Sequence, residues 1–352
     1  MADARSLIFP RDEFAGRIEA LQSRMAHKGC AALLLTSAAD VFYTTGFLTR
    51  FWESPARPWF IVVPMTGAPI AVIPSIGKAL MSQTWIDDIR CWDAPDPEDD
   101  GVSLLASVLA EVAGGGAVGT PMGLETALRM PLGDYARLVE TTALPFVDAT
   151  GIVQRVREIK SEAEVEKIRQ TCAIADRSFA LLPEIIKETP YLDQVFRGFQ
   201  SALLAEGADW VSYTAGGAGQ GGYGDVIAPA TATPMQTGDI LMLDTGAVRD
   251  GYFCDFDRNV SIGPPDAQSR HAYAALLAAT DHVMEALRPG MTAANVHGML
   301  SDSLTAAGQV PGGGRLGHGL GITLTEWPSF TPKDHTPLRA GMVLTLEPSA
   351  VI

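Results

Sequence analysis

Residues 238–262 read Gly-Asp-Ile-Leu-Met-Leu-Asp-Thr-Gly-Ala-Val-Arg-Asp-Gly-Tyr-Phe-Cys-Asp-Phe-Asp-Arg-Asn-Val-Ser-Ile, a pattern that predicts a β-hairpin. Ile240–Leu243 is a short apolar run of the kind found in buried strands. The Asp-Gly pair at 250–251 favours a tight hairpin turn. A second strand is then expected from Tyr252 to Ile262.

Three aspartates of this hairpin are expected to converge. Asp244 lies at the end of the first strand, and Asp255 and Asp257 share one face of the second because side chains alternate along a strand. Ionised carboxylates are seldom placed together near a core unless a cation neutralises them. The hairpin therefore predicts a cation site, with a solvated acidic hairpin as the alternative.

The composition limits the class of protein. The chain has 352 residues, enough for two domains, and is 47% hydrophobic and 19% charged, as is ordinary for a globular protein. A net charge of -15 argues against nucleic acid or an anionic membrane as a partner. The sequence shows no signal-peptide pattern and no apolar run near the roughly 20 residues of a membrane span. Four cysteines lack zinc or disulfide spacing, which favours a cytoplasmic protein.

Residues 1–157 predict an α/β domain. Arg11–Lys28 has apolar residues at three-to-four spacing and is followed by Gly29, so it is expected to be a helix. Apolar runs predict strands at Ala31–Thr36, Trp59–Val63 and Ile70–Ile73 and from Val118. Further helices are expected at Leu104–Val112 and near 131–141 and 151–157.

Residues 158–352 predict a second domain built of two similar halves. Ser161 and Glu164 form a capping box that begins a long helix, and a shorter helix follows over 192–205. A long helix at Ala267–Leu287 and a shorter one capped by Thr292 repeat this order. Each helix pair leads into strands, which predicts two related halves in which helices back a curved sheet.

The glycine-rich segment 215–224 resembles a nucleotide-binding loop only superficially. No helix can follow it soon, because Pro229 and Pro234 come next. We expect a substrate-facing loop that carries Tyr223 as a substrate contact, with a plain flexible loop as the alternative.

Two further polar side chains lie in or beside apolar runs. His318 lies in Gly-His-Gly-Leu-Gly, and Glu347 ends the apolar strand predicted over 341–346. Together with Asp244 and Asp255 they provide three carboxylates and one imidazole. Carboxylates of this kind can bridge two divalent ions and activate a water. One nitrogen among oxygens suits Mn, Co, Fe or Zn.

The order and context of these four residues resemble the pita-bread metallopeptidase family. That family includes Xaa-Pro aminopeptidases, prolidases, methionine aminopeptidases and the non-peptidase creatinase. The matching strings are Gly-Asp-Ile-Leu-Met-Leu-Asp-Thr-Gly, Gly-Tyr-Phe-Cys-Asp-Phe-Asp-Arg, Gly-His-Gly-Leu-Gly and Gly-Met-Val-Leu-Thr-Leu-Glu-Pro. The first 150 or so residues resemble the creatinase/prolidase-type N-terminal domain, which methionine aminopeptidases lack.

The resemblance implies an α/β N-terminal domain, a pita-bread catalytic domain over 158–352, and a role for each ligand. Asp244 would chelate one ion, Asp255 would bridge two, His318 would bind the second, and Glu347 would ligate beside it and position the attacking water. The implied reaction is hydrolysis of an amide C–N bond in a short peptide, of the Xaa-Pro aminopeptidase or dipeptidase type, by water that the two metal ions activate.

The resemblance also implies a homodimer in which one subunit's N-terminal domain shapes the partner's pocket. Trp52 and Trp59, which flank Pro55-Ala56-Arg57-Pro58, are candidates for that role or else ordinary core aromatics.

The sequence departs from the peptidase pattern in several places. The family's fifth ligand is a second glutamate after the Glu-Pro motif, whereas the sequence ends at Ile352, so we expect an incomplete domain that lacks its last strands. Thr325 stands where the peptidases have a histidine, and 208–238 contains no histidine. Thr325 and Glu326 are expected to contact substrate.

Asp257 stands where the family usually has threonine. As a neighbour of Asp255 on the same strand face, it can reach the metal or act as a base. The alternative is that Asp257 pairs with Arg258 or Arg315 at the rim of the site.

Two other functions remain open from the sequence. Loss of both peptidase histidines favours a creatinase-like or ectoine-hydrolase-like enzyme acting on a small amide or amidine. A catalytically inactive binding protein on the same scaffold is the second alternative.

Overall fold

The structure is a computed structural model that describes residues 8–52, 54 and 58–352. The chain separates into two compact units, Met1–Arg157 and Glu158–Ile352. Pro55, Ala56 and Arg57, which lie between the two candidate pocket residues Trp52 and Trp59, fall outside the described residues.

The first unit is built on a six-stranded mixed sheet. Its strands are β1 (Cys30–Leu35), β2 (Phe60–Pro64), β3 (Ile70–Pro74), β4 (Asp88–Trp92), β5 (Ala117–Thr120) and β6 (Phe146–Asp148). Its helices are α1 (Arg11–Lys28), α2 (Ala38–Thr45), α3 (Lys78–Met81), α4 (Val102–Ala113), α5 (Leu132–Thr142) and α6 (Thr150–Arg157). The strand order is β4-β3-β2-β1-β5-β6, with β2 antiparallel to both neighbours and the other pairs parallel. This arrangement confirms the α/β class expected for the N-terminal domain.

Helix α1 shows how the apolar spacing sets the fold of this unit. Phe14, Ile18, Leu21 and Met25 occupy one face and are buried. Gly29 ends the helix in the left-handed region at φ 75°, which glycine adopts without strain.

Trp59 is a core residue of the same unit. It is 2% exposed, and its ring centroid lies 5.0 Å from that of Phe47 and 6.0 Å from that of Trp52. Trp52 is half-buried, and the guanidinium carbon of Arg129 lies 4.9 Å from its ring centroid.

The second unit carries three sheets and two helix pairs. Its helices are α7 (Glu162–Glu188), α8 (Leu192–Ala205), α9 (Ala267–Ala286) and α10 (Ala293–Ala306). Its strands are β7 (Trp210–Gln220), β8 (Asp239–Arg249), β9 (Tyr252–Phe253), β10 (Phe256–Ser261), β11 (Val310–Pro311), β12 (His318–Gly319), β13 (Glu326–Ser329) and β14 (Ala350–Val351). The antiparallel sheet β10-β8-β7 also holds β9, and β11 pairs with β14 and β12 with β13.

Each helix pair has its own apolar core. In the first half, Ile174 and Leu182 of α7 and Phe199 of α8 pack with Leu241 and Leu243 of β8. The second core joins α9 and α10 to the region around β12 and β13. Its buried members are Val283, Ala293, Val296, Leu300, Leu316, Phe330 and Leu338. The two cores match the two halves predicted from the repeated order of helices.

The segment 215–224 is not the continuous loop that the sequence suggested, because β7 runs through it as far as Gln220. Gly216 has φ 136°, and a Cβ there would lie 2.1 Å from the carbonyl oxygen of Met242 on β8. Only glycine permits this close approach of two strands. Gly216 therefore serves strand pairing.

Two other expected strands differ in detail. The second strand of the hairpin is divided into β9 and β10 around Cys254 and Asp255, although its pairing with β8 keeps one register. The segment 341–347 is not a regular strand. It runs along 316–320 through backbone hydrogen bonds at Leu320 N to Val343 O, Thr345 N to His318 O, and Glu347 N to Leu316 O.

A membrane-spanning helix was not expected, and among the described residues no helix has the length and apolar character to cross a bilayer.

Candidate metal centre

The hairpin β8–β10 brings three aspartates to one face of the sheet. The turn uses Asp250 at φ 51° and Gly251 at φ 79°, as a tight hairpin with two positive φ angles requires. The register places Asp257 directly opposite Asp244. Asp255 precedes Asp257 by two residues and therefore lies on the same face, diagonal to Asp244.

Tyr213 of β7 joins two of these carboxylates. Its hydroxyl lies 2.9 Å from Asp244 Oδ1 and 2.9 Å from Asp255 Oδ1, so its single proton is shared between these two acceptors. A register irregularity between Val211 and Thr214 interrupts the pairing of β7 with β8 at this point. Tyr213 leaves the second oxygen of each aspartate to other partners.

His318 faces the same carboxylates from β12. Its side chain is 2% exposed, and Nδ1 lies 2.8 Å from the carbonyl oxygen of Gly319, which can only accept a hydrogen bond. Nδ1 therefore carries a proton. Nε2 lies 3.2 Å from Asp255 Oδ2 and 3.1 Å from Glu347 Oε1. A neutral His318 would direct a lone pair at two carboxylates, so this geometry calls for either a proton or a metal ion at Nε2.

Glu347 completes a group suited to a metal ion. One ligand atom from each of Asp255, His318 and Glu347 lies within 4.8 Å of the other two. Glu347 Oε1 is buried and accepts no hydrogen bond of acceptable geometry, although His318 Nε2 is at ion-pair distance. An under-satisfied buried oxygen beside an imidazole nitrogen fits a divalent cation of the Mn, Co, Fe or Zn type.

Burial and neighbouring charges shift the pKa values of the acids and of His318. Burial raises the pKa of Asp244 to about 7, with Tyr213 opposing the shift and the neighbouring acids adding to it. Burial and the charge of Glu347 raise the pKa of Asp257 to about 6. Burial alone would lower the pKa of His318, but Asp255 and Glu347 outweigh it and bring that pKa to about 9. A divalent cation would relieve the same crowding of negative charge.

The pKa of Glu347 moves the other way. Burial favours its protonated form, but His318 outweighs burial, so the pKa of Glu347 lies below its ordinary value. Glu347 is thus held as a carboxylate beside the imidazole.

A cavity of about 790 Å³ opens onto these residues. The four expected ligands and Asp257 all line it, as do Tyr213, Arg315 and Thr325. Apolar side chains form much of the remaining wall: Ile168, Val226, Ile227, Met284, Leu287, Leu320 and Leu324. The structure therefore brings Asp244, Asp255, Asp257, His318 and Glu347 together in one cavity, with Thr325 at its wall.

Two expected substrate contacts lie elsewhere. Tyr223 does not line the cavity, although burial and the nearby charge of Asp257 raise the pKa of Tyr223. Glu326 is 1% exposed and pairs with Lys160 at 2.7 Å. Its other oxygen accepts the backbone N–H groups of Ile322 and Thr323. This placement favours a positioning role for Glu326 over substrate contact, because the carboxylate fixes the loop that leads to Thr325.

Two residues of this region were not assigned a role from the sequence. The bridging position of Tyr213 depends on the pairing of β7 with β8. Lys160 pairs with a residue 166 positions away, which no local sequence pattern reveals.

Two family descriptions match the chain. The metallopeptidase family M24 matches residues 166–352, and the creatinase/prolidase N-terminal domain matches residues 17–159. The fold and the site define a two-domain hydrolase of the pita-bread metallopeptidase class. The chain belongs to metallopeptidase family M24.

Individual relatives agree with this assignment. A probable dipeptidase PepE of Mycobacterium bovis is 29% identical over 344 residues, which cover 97% of this chain and 88% of the relative. The crystal structure of dipeptidase PepE from Mycobacterium ulcerans has a TM-score of 0.81 at 28% identity and covers 97% of this chain and 89% of that chain. The prolidase of Pyrococcus horikoshii, at 22% identity, shares the fold with a TM-score of 0.80 over 96% of this chain and 91% of its own. The expected family and fold class are thereby confirmed.

Proposed function

We propose that residues 158–352 hydrolyse the amide bond of an Xaa-Pro dipeptide or a similar short peptide with the help of two divalent metal ions. The observation that supports this proposal most strongly is the approach of His318 Nε2 to Asp255 and Glu347 inside the cavity. Relatives of this chain bear the names dipeptidase PepE and Xaa-Pro dipeptidase, which fits a short peptide substrate.

The proposed ligands form two adjacent groups. Asp255, His318 and Glu347 would hold one ion, and Asp244 with Asp255 would hold the second. Bound there, the ions would polarise the scissile carbonyl and lower the pKa of a water.

The protein's own groups would then handle orientation and protons. Glu347 stays ionised at neutral pH, and its carboxylate can accept a proton from the attacking water. Tyr213 would keep Asp244 and Asp255 in fixed orientations. Arg315, which donates to Thr325 Oγ1 at 3.4 Å, would meet a negatively charged group of the substrate at the wall of the cavity.

A creatinase-like or ectoine-hydrolase-like activity is the second candidate. Among the described residues that line the cavity, His318 is the only histidine, and its Nε2 is directed at the proposed ligands. A site with no other imidazole has no obvious proton donor for a peptide leaving group near neutral pH. Thr325 supplies a neutral hydroxyl instead.

A substrate panel separates the two functions. Protein loaded with Mn²⁺, and in parallel with Co²⁺ or Zn²⁺, is incubated with Xaa-Pro dipeptides, other dipeptides, creatine and ectoine. Release of proline from Xaa-Pro dipeptides supports the proposal, and hydrolysis of only the small solutes supports the second candidate. Hydrolysis of none would indicate a binding protein.

We also propose that the protein is a cytoplasmic homodimer. Its four cysteines are free thiols, which fits a reducing compartment. Light scattering coupled to size exclusion tests the dimer, since a mass near 37.4 kDa would identify a monomer.

A further inference from the structure

Lys160 is a buried cation outside the proposed metal centre. Its ammonium lies 2.7 Å from Glu326 Oε2, and both side chains are at most 2% exposed. Burying two charges is costly, and the attraction between them often does not offset that cost. The contacts of the Glu326 carboxylate show what the pair holds in place.

The Glu326 carboxylate organises the loop of residues 320–325. Its Oε1 accepts the backbone N–H groups of Ile322, at 3.1 Å, and Thr323, at 3.3 Å. The Thr323 hydroxyl donates to the carbonyl oxygen of Thr325 at 2.9 Å. Hydrogen bonds to a charged acceptor are about twice as strong as neutral ones, so the carboxylate fixes the backbone of this loop.

The ion pair also leaves no free space beside the loop. A Cβ at Gly321 would lie 2.9 Å from each carboxylate oxygen of Glu326 and 2.9 Å from Cε of Lys160. The carbonyl oxygen of Gly321 accepts the N–H of Phe253 at 2.9 Å, two residues before Asp255. The loop is thus held between the ion pair and strand β9.

Lys160 is itself anchored on a long helix. Its backbone N–H donates to the carbonyl oxygen of Gly341 at 2.9 Å, and the capping box of Ser161 and Glu164 begins α7 directly after it. Helix α7 has 27 residues and packs on β8. A group held on a rigid element positions its partners precisely.

The loop that this pair holds forms part of the cavity wall. Leu320, Leu324 and Thr325 line the cavity, whereas Lys160 and Glu326 do not. The ion pair therefore lies behind the wall, and the loop connects it to whatever occupies the cavity.

We propose that Lys160 is a positioning residue for substrate binding: through Glu326 it holds the loop 320–325 in the conformation that the dipeptide contacts. This inference rests on the proposed peptidase function. Loss of the pair is expected to raise KM, because the wall contacts the bound substrate in the ground state and the transition state alike. Metal affinity and kcat are expected to change little, because the loop carries none of the proposed metal ligands.

Two variants remove the ion pair in different ways. Lys160→Met removes the charge and keeps an unbranched apolar side chain. Lys160→Met/Glu326→Gln removes both buried charges and retains an amide oxygen as a weaker acceptor, so it serves if Lys160→Met does not fold. Leu304→Ala is the control for lost stability alone, because Leu304 is fully buried between α9 and α10 and does not line the cavity.

Hydrogen exchange and steady-state kinetics are measured on protein loaded with Mn²⁺, with Leu-Pro as the substrate. Both ion-pair variants should exchange the amides of 321–325 faster than the wild type. Their KM should rise roughly tenfold or more, with kcat changed less than about threefold. Titration with Mn²⁺ should give wild-type affinity. Leu304→Ala should keep both the exchange rate of 321–325 and the KM of the wild type.

Wild-type KM or wild-type exchange in the ion-pair variants would overturn the inference. An equal rise of KM in Leu304→Ala would overturn it as well, because the effect would then come from lost stability. Hydrogen exchange requires no substrate, so it decides the inference even if Leu-Pro is not cleaved. Absence of cleavage by the wild type counts against the proposed function alone.

Discussion

Tyr213 shows how one hydroxyl can organise a metal site. It fixes Oδ1 of Asp244 and Oδ1 of Asp255, and Oδ2 of Asp255 faces His318 Nε2 at 3.2 Å. Burial and the two facing acids raise the pKa of Tyr213, so the hydroxyl stays a donor at all working pH values. Its contribution is to orient ligands, since groups that hold ligands in place commonly account for 10–100-fold in affinity or activity.

Tyr213→Phe should therefore keep the fold but lower metal affinity or kcat by roughly 10–100-fold. Metal titration and steady-state kinetics on the same preparation measure both quantities. Tyr223→Phe is the matched control, because Tyr223 does not line the cavity. Wild-type values in Tyr213→Phe would show that the two aspartates need no such support.

The thiol of Cys172 offers a pH-dependent readout of the cavity. Burial, reinforced by Asp176, raises the pKa of Cys172 to about 11, and the residue lines the cavity. Burial disfavours the thiolate, so alkylation should accelerate as the pH rises towards 11, rather than levelling off above the usual value of about 8.5.

Labelling with iodoacetamide from pH 7 to 10, in the presence of a metal chelator, measures this rate. Mass spectrometry reports the extent of labelling at each cysteine. The unfolded protein serves as the reference for an ordinary thiol. A plateau at Cys172 near pH 9 in the folded protein would contradict the burial described here.

At the residue level the sequence predicted which polar residues meet in the cavity, but not how they are connected. Asp244, Asp255, His318 and Glu347 each end or flank an apolar run, and that local pattern predicted their convergence. The bridging position of Tyr213 and the partner of Glu326 depend on strand pairing between distant segments, which local patterns do not contain. Glu326 is an example. It was expected to contact substrate, whereas its side chain is buried against Lys160.

The elements of the fold differ in how readily the sequence predicts them. Amphipathic helices such as α1 and α7 follow from apolar spacing and caps, and the capping box of Ser161 and Glu164 is present as expected. Helix α2 was not predicted. Seven of its eight residues are buried, so its sequence lacks the alternation of apolar and polar faces that identifies an amphipathic helix. Strand β7 was read as a loop because its glycines are turn formers elsewhere.

The close approach of β7 to β8 gives a test at the level of the element. Gly216→Ala should destabilise the fold by about 1–3 kcal/mol, because the added methyl group meets the Met242 carbonyl and the positive φ becomes strained. Gly224→Ala is the matched control, since a Cβ at Gly224 meets nothing within 4 Å. Urea unfolding of both variants gives the comparison, and equal stability would contradict the pairing of β7 with β8.

The buried ion pair Lys160–Glu326 ties the start of the second unit to the strand β13. Both side chains are at most 2% exposed, so removal of the lysine takes a cation away from a buried carboxylate. Lys160→Met should lower the free energy of unfolding by roughly 3–5 kcal/mol. The exposed pair Lys187–Glu184 is the control, and Lys187→Met should cost at most about 1 kcal/mol. Similar losses in the two variants would show that burial does not set the strength of this pair.

For the molecule as a whole, the second unit carries the proposed chemistry in two halves, each with a long and a short helix. The first half supplies Asp244, Asp255, Asp257 and Tyr213 from one sheet, and the second supplies His318 and Glu347 from paired extended segments. The cavity and its ligands thus depend on the correct pairing of both halves. Family membership follows from the matched residues 166–352.

The most direct test of the central claim is the dependence of peptide hydrolysis on metal ions. The protein is stripped with a chelator, dialysed, and assayed for proline release from Xaa-Pro dipeptides before and after addition of Mn²⁺, Co²⁺ or Zn²⁺, with His318→Ala in parallel. We predict no release by the stripped protein, recovery at two ions per chain, and little recovery in His318→Ala. Hydrolysis that persists after stripping, or an equal recovery in His318→Ala, would contradict a metal centre at these residues.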